Sequence, residues 1–352
     1  MADEKKKEFH YGGQAVIEGV MMRGPKDFAV AVRRTDGRIV TTREDVGSIL
    51  GKFKWLERPF LRGTLALIDA MALGIKALMY SANIAMEDAA TADAKAAAEK
   101  KHQAETVEPD PPNGKEPPDL PEQSQPKKSG VNDLVVGVTV VLGLALGIGL
   151  FLFVPILITK PLRSVLVGWQ LTVVEGLVKF TLFLGYVLLI SQMKDIKRVF
   201  QYHGAEHKTI NAYEANIPLE VEQVRAYPKA HVRCGTGFLL VVIVTSIVVF
   251  LIVADHLPFG SLANRNAISY LTRFLYKLAL LPFVAGIAYE VIKFAGNHKD
   301  SPLAHLLVLP GLLMQRITTR EPDPEMIEVA IKSLETVLEK EASEEDARAA
   351  TA

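Results

Sequence analysis

Cysteine is almost absent from this chain. Cys234 is the single one in 352 residues, so an intrachain disulfide is excluded, and a lone thiol near histidines fits a reducing compartment. Net charge is absent too. The 40 basic and 40 acidic side chains cancel to +0, which removes any overall pull towards nucleic acid or an acidic membrane face. The first ten residues, Met1 to His10, are charged and lack the apolar core of a signal peptide. Insertion into a membrane therefore has to rely on internal segments. The glycines of residues 11–24 do not build a phosphate loop, because neither Gly-Lys-Ser/Thr nor Gly-x-Gly-x-x-Gly occurs there.

What the chain has in quantity is apolar sequence. Hydrophobic residues make up 49% of it beside 23% charged ones, and the mean hydropathy is +0.20, so the apolar residues are concentrated in runs. Residues 133–159, 165–191, 237–254 and 274–295 are each long enough to cross a bilayer. Residues 302–314 are apolar but too short, and Pro310-Gly311 is expected to break them. Residues 59–82 carry Arg62, Asp69 and Lys76 at seven-residue intervals behind Pro59, a helix-starting residue. An amphipathic helix in the membrane interface is the preferred reading, and a span with a buried Asp69 is the alternative. Inside the second run, Glu175 and Lys179 stand one turn apart and are expected to neutralise each other.

The expected fold is mainly α: a polytopic helical membrane protein of about four transmembrane helices, with a small N-terminal module and an amphipathic C-terminal helix. Residues 1–87 form the N-terminal module, cytoplasmic or interfacial. In it, residues 28–33 and 38–42 read as strands joined through the hairpin signal Asp36-Gly37, a small water-facing β element. Residues 88–130 begin Ala/Lys/Glu-rich, a stretch able to extend a helix, then turn proline-rich and read as a disordered linker. Residues 131–320 form the transmembrane domain, and 321–352 the C-terminal helix and tail. Asp323-Pro324 opens that helix, and Ile327, Ala330, Ile331, Leu334 and Leu338 give it an apolar stripe. Lys194, Lys197, Arg198, Lys208, Arg225, Lys229 and Arg233 make 192–236 the basic loop. By the positive-inside rule that loop and both termini are cytoplasmic.

The basic loop also holds the densest chemistry, Tyr202-His203-Gly204-Ala205-Glu206-His207-Lys208. On a helix, His203 and His207 share one face a turn apart, and Glu206 sits beside them. Two imidazoles and a carboxylate at this spacing match the inverzincin signature of a zinc site with a general base. A polar helix at a membrane surface can equally hold two histidines with no chemical role. A zinc site needs three or four ligands. His231 and Cys234, spaced i, i+3 further along the loop, rank first as the others. Glu290, near the end of the fourth run, ranks next, and Glu214 last, two turns beyond His207. Glu206 is then the candidate general base. Lys208, Arg233 and Arg23 are candidates to steady an anionic substrate, and Gln14, Glu18 and Arg23 are polar residues beside glycines, read either as a pocket or as a tight turn with solvated charges.

Four separated stretches carry a resemblance. They are Gly-Gly-Gln-Ala-Val-Ile-Glu-Gly-Val-Met-Met-Arg-Gly from residue 12, Tyr-His-Gly-Ala-Glu-His-Lys from 202, His-Val-Arg-Cys-Gly-Thr-Gly-Phe-Leu from 231, and Pro-Gly-Leu-Leu-Met-Gln-Arg-Ile-Thr-Thr-Arg-Glu-Pro from 310. In this order they resemble the YqhQ-like family of bacterial membrane proteins, a domain-of-unknown-function family. The departures are Val232 where proline is expected and Gly237 where serine is expected, and neither touches a candidate ligand. The resemblance implies a bacterial plasma-membrane protein that has been labelled a metal-dependent enzyme, with no reaction attached. The function expected is therefore a metal-dependent hydrolase or transferase at the cytoplasmic surface of the plasma membrane, holding a divalent metal, zinc first. The partners expected are the lipid bilayer and a membrane-associated substrate or protein, and no nucleic acid. Two other classes stay open: a non-catalytic scaffold or assembly factor, and a transporter using Glu175, Lys179 and Glu290.

Overall fold

A computed structural model describes residues 11–46, 58, 61–105, 133–166, 168–254, 267–298 and 301–351. The N-terminus to His10, Pro59, the proline-rich part of the expected linker (106–130) and residues 255–266 of the expected external loop lie outside the described residues.

Residues 20–22 and 28–32 are apolar at every position and buried throughout, the mark of strands covered on both faces. β1 (Gly12–Val16), β2 (Gly19–Arg23), β3 (Asp27–Arg33) and β4 (Ile39–Asp45) form an antiparallel meander in that order. Side chains alternate across it. Val20, Met22, Ala29 and Ala31 enter a core with α5 (Lys194–Glu214) and α10 (Pro324–Thr351). Val16, Met21, Phe28, Val30 and Val32 pack on Leu73, Ala77 and Ile84 of α1 (Leu61–Glu105). The water-facing hairpin expected here is thus half of a sheet sandwiched between helices, because the glycine-rich residues 12–23 supply a second hairpin. The Asp36-Gly37 turn is present within a longer loop. Arg33 pairs with Ile39, and Gly37 takes φ +88, a conformation glycine adopts freely.

Among the described residues, five helices are long and apolar enough to cross a membrane: Arg62–Ala97, Gly137–Leu162, Trp169–Ile190, Gly235–Val253 and Tyr270–Asn297. The expectation was four, and the addition lies in α1, which runs on to Glu105 and carries the boundary drawn at 88 inside a helix. Gly137–Leu162 takes in most of α2 (Asp133–Ile148), a π-helical turn (Gly149–Phe153) and α3 (Val154–Ile158), with Pro155 just after the π turn. A π turn ahead of a proline absorbs the lost backbone hydrogen bond. The remaining candidates correspond to α4 (Trp169–Ile190), α7 (Gly235–Ala254) and α8 (Ala267–Asn297). The short α6 (Val221–Arg225) lies between α5 and α7.

α9 (Pro302–Thr318) runs unbroken through Pro310-Gly311, against the expected break. Gly311 serves packing: a Cβ there would sit 2.9 Å from the Cα of Gly237, so α7 and α9 cross backbone to backbone. Glu175 finds close partners outside its own helix, while its charge still acts on Lys179. Its carboxylate takes Arg273 at 2.8 Å, Lys277, and Thr159 at 3.4 Å, while Lys179 donates to Ser246 at 3.1 Å. Two cations from α8 reach Glu175 across the bundle, so the i, i+4 pair expected within α4 becomes part of a larger charge cluster. α10 opens at Pro324 as expected, and Ile327, Ala330, Ile331 and Leu334 are buried in the sheet core.

Candidate metal centre

α5 is helical through Gly204, so His203 and His207 lie on one face, their ring centroids 4.4 Å apart. Each Nδ1 is tied to a main-chain carbonyl: His203 to Thr318 O at 2.8 Å and His207 to Lys229 O at 2.6 Å. A carbonyl only accepts, so the proton sits on Nδ1 and each Nε2 presents its lone pair. Cys234 Sγ lies 3.2 Å from His203 Nε2. One ligand atom from each of His203, His207 and Cys234 falls within 4.8 Å of the others. Four ligands around zinc at ordinary bond lengths stand about 3.3–3.6 Å apart, so this donor set fits such an ion with small adjustments. Carbonyl partners on Nδ1 are also the usual outer support of ligating histidines.

Glu206 is 4% exposed, and its Oε2 lies 3.9 Å from both Nε2 atoms. Burial pushes its pKa above the ordinary carboxylate range, against the opposing pull of His203, His231 and the Gly13 N–H that it accepts. Burial likewise holds the His207 imidazole below its usual value, the neutral ligand form, despite the facing Cys234. A cavity of about 320 Å³ opens onto these groups.

The other candidates divide. His231, Arg233, Arg23 and Gln14 line this cavity. The His231 ring lies beside His207, centroids 5.6 Å apart, with Nε2 4.0 Å from Glu214, whose carboxylate also binds Arg233. His231 is therefore next to the three-ligand cluster and not one of it. Glu290 is not a ligand: it forms a paired ion bridge to Arg62 at 2.5–2.6 Å, because α1 packs along α8. Glu18 turns away to Arg198 and Tyr202. Lys208 also leaves the cavity. Its Nζ donates to Arg225 O and Tyr227 O at 2.7 and 2.8 Å and meets Glu321 at 2.7 Å, fastening the 225–230 segment to α5. Asn211, one turn on, completes that grip through Pro228 O and Ala230 O.

The frame around the cluster involves residues that no sequence pattern singled out. Gln315 pairs its amide with both main-chain groups of His231 at 2.8 Å, holding the segment that delivers Cys234. Thr236 meets Cys234 Sγ at 3.0 Å. Gly13 must be glycine because a Cβ would press on Met21 O and on Glu206 Cγ at 2.9 Å. The available signal was that Gly13 and Gln315 fall inside the quoted stretches.

Fold and site together define a class: a helix bundle with membrane-length apolar helices, capped by a four-stranded sheet, with a His-His-Cys cluster and a buried glutamate where the two meet. The family model described as "Protein of unknown function (DUF1385)" matches residues 58–340, and the chain belongs to that family. It is 36% identical over 344 residues to "Uncharacterized protein YqhQ" of Bacillus subtilis (strain 168), covering 95% of this chain and 94% of the relative. No solved structure matches the chain.

Proposed function

We propose that this is an integral membrane protein with a zinc-type site formed by His203, His207 and Cys234, acting as a hydrolase on a membrane-associated substrate. The observation that carries the proposal is the convergence of two Nδ1-anchored imidazoles and a thiol within 4.8 Å, with a buried carboxylate 3.9 Å from both Nε2 atoms. Three protein ligands leave one position of a tetrahedral ion open, the arrangement of catalytic and not of structural zinc. An ion held there supplies Lewis acidity. Glu206 Oε2 takes the proton of an attacking water, a role suited by its raised affinity for protons, and the Gly13 N–H keeps that carboxylate aimed. Arg233 and Arg23 bind an anionic portion of the substrate in the cavity.

The architecture supports four crossings, not five. The sheet, α5 and α10 share one core and so lie on one side of the bilayer. An even number of crossings must separate the sheet from α5, and α5 from α10. α2–α3 with α4 make the first pair, and α7 with α8 the second. α1 then stays on the sheet side, consistent with its packing under that sheet. The basic loop favours the cytoplasm for this side, and we place the protein in a bacterial plasma membrane.

Elemental analysis of the detergent-purified protein tests the site. Zinc is expected at about one equivalent per chain, falling to background in the His203→Ala/His207→Ala double variant. Glu206→Gln should keep the metal and lose function. The competing classes give other outcomes: a scaffold tolerates Glu206→Gln, and a transporter is hurt more by Glu175→Gln than by His203→Ala. A metal-free preparation from zinc-replete cells ends the proposal.

A further inference from the structure

A second cavity, about 710 Å³, shares no lining residue with the cavity over the His-His-Cys cluster, and the two sites meet at Lys229, whose main-chain carbonyl anchors His207. It lies where the end of α4, the first turns of α5 and the end of α9 meet. Its charged lining is Lys197, Lys229, Arg316 and Arg320 against one carboxylate, Glu321. That carboxylate is already held by Lys208 at 2.7 Å and faces Lys229 at 3.9 Å. Among the described residues, Lys197 and Arg316 have no acidic partner. Arg320 spends one Nη2 on Ser191 O at 3.1 Å, and its buried Nε has no acceptor among the described residues. The main chain of Arg320 is fixed by its N–H to Phe200 O at 2.8 Å, so the guanidinium is presented from a rigid base.

Cations gathered this way favour an anion, and guanidinium donors suit phosphate oxygens in particular. The surroundings say which phosphate. Leu188 and Ile317 form the cavity's apolar rim. Leu188 is 43% exposed, and Leu313, one turn before Ile317 on the same face of α9, is 48% exposed. These faces continue from the basic cavity onto helix surfaces that a bilayer would cover. We propose that this cavity binds the phosphate of an anionic phospholipid, whose acyl chains lie along the Leu188 face of α4 and the Leu313 face of α9. Basic pockets at the boundary of a helix bundle recognise lipid headgroups by the same physics. The proposal does not depend on a metal at the other site.

The test uses the full chain in detergent, followed by native mass spectrometry with phosphatidylglycerol, with phosphatidylcholine, and with phosphatidylglycerol in excess sodium phosphate. The wild type should retain phosphatidylglycerol about tenfold over phosphatidylcholine, undisturbed by phosphate. Lys197→Gln with Arg316→Gln, two side chains outside the packed core, should lose about tenfold or more of that preference, with unchanged helical circular dichroism. Equal retention of the two lipids, or of phosphatidylglycerol by the variant, overturns the proposal. Displacement by sodium phosphate overturns it in favour of a free-phosphate site.

Discussion

Asp27 places a carboxylate that is 1% exposed at the start of β3, with Arg43 at 3.9 Å and Lys340 at 3.8 Å. Burial raises its pKa above the ordinary value, and the two cations only partly oppose this. A folded state that holds the proton more tightly than the unfolded chain gains most from this group below the ordinary carboxylate pKa. It loses that gain as pH rises through the raised one. Asp27→Asn, which cannot ionise, should therefore melt higher than the wild type at pH 7, with the difference closing towards pH 4. A lower melting temperature at pH 7 would show that the two distant cations outweigh burial. Gly204 makes a second residue-scale case. It lies between the two histidines, yet what requires glycine is the other side of α5, where a Cβ would overlap the carbonyl oxygen of Arg320. Gly204→Ala should cost about 1–3 kcal/mol, the usual toll of overpacking, read as a lower unfolding midpoint. An unchanged midpoint would mean that the 318–323 segment shifts freely.

At the scale of elements, the segment bearing His231 and Cys234 has no regular structure of its own up to α7, so its position depends on neighbours. Gln315 of α9 supplies the main one, pairing as a strand would with His231. Gln315→Leu keeps the volume but strands a buried N–H and C=O, each costing about 1–3 kcal/mol. We expect zinc affinity to fall about 10–100-fold, as for other supporting residues around metal ligands, with α5 still helical by circular dichroism. Unchanged affinity would remove Gln315 from the site. This frame explains which parts of the site were legible in the sequence. His203 and His207 were, because helical periodicity alone aligns them. Cys234 was reachable as the one thiol in the same loop. The anchors at Thr318 O, Lys229 O and Gly13 N–H are main-chain groups delivered by long-range packing, which no side-chain pattern records. Glu290 and Lys208 were misread for the same reason: Arg62 and the carbonyls of 225 and 227 reach them only in the folded chain. For the fold, the apolar runs of α2–α3, α4, α7 and α8 announced themselves by length. The sheet was half visible, since β1 and β2 sit in a glycine-rich stretch whose alternation becomes meaningful only when both faces are covered.

For the whole molecule, the shared core of sheet, α5 and α10 is the observation behind the proposed topology, and it works without counting charges. Length and composition allow five crossings among the described residues. A crossing by α1 would put the sheet and α5 on opposite faces of the membrane, yet Tyr202, Ala205 and Ile210 of α5 are buried in one cluster with Val20, Met22 and Ala29 of the sheet. α1 meets α8 through Gly63, where a Cβ would lie 2.9 Å from Tyr289 Cγ, and through Arg62 with Glu290. Further along it meets the sheet, with Asp88 receiving Arg34 at 2.8 Å. It thus ties the Pro282–Glu290 part of α8 to the sheet. Charge enters the proposal only in the choice of side. Single cysteines at three exposed positions check both steps: Asp36→Cys in the β3–β4 loop, Glu222→Cys between α5 and α7, and Ser164→Cys between α3 and α4. With a membrane-impermeant maleimide on intact cells, Ser164→Cys should label, while Asp36→Cys and Glu222→Cys should label only after permeabilisation, the wild type with buried Cys234 serving as background. Labelling of Asp36→Cys and Glu222→Cys from opposite sides would break the parity argument and restore α1 as a crossing. Labelling of both from outside would keep four crossings, reverse the orientation, and move the His-His-Cys cluster to the outer face, where a lone thiol meets oxidising conditions.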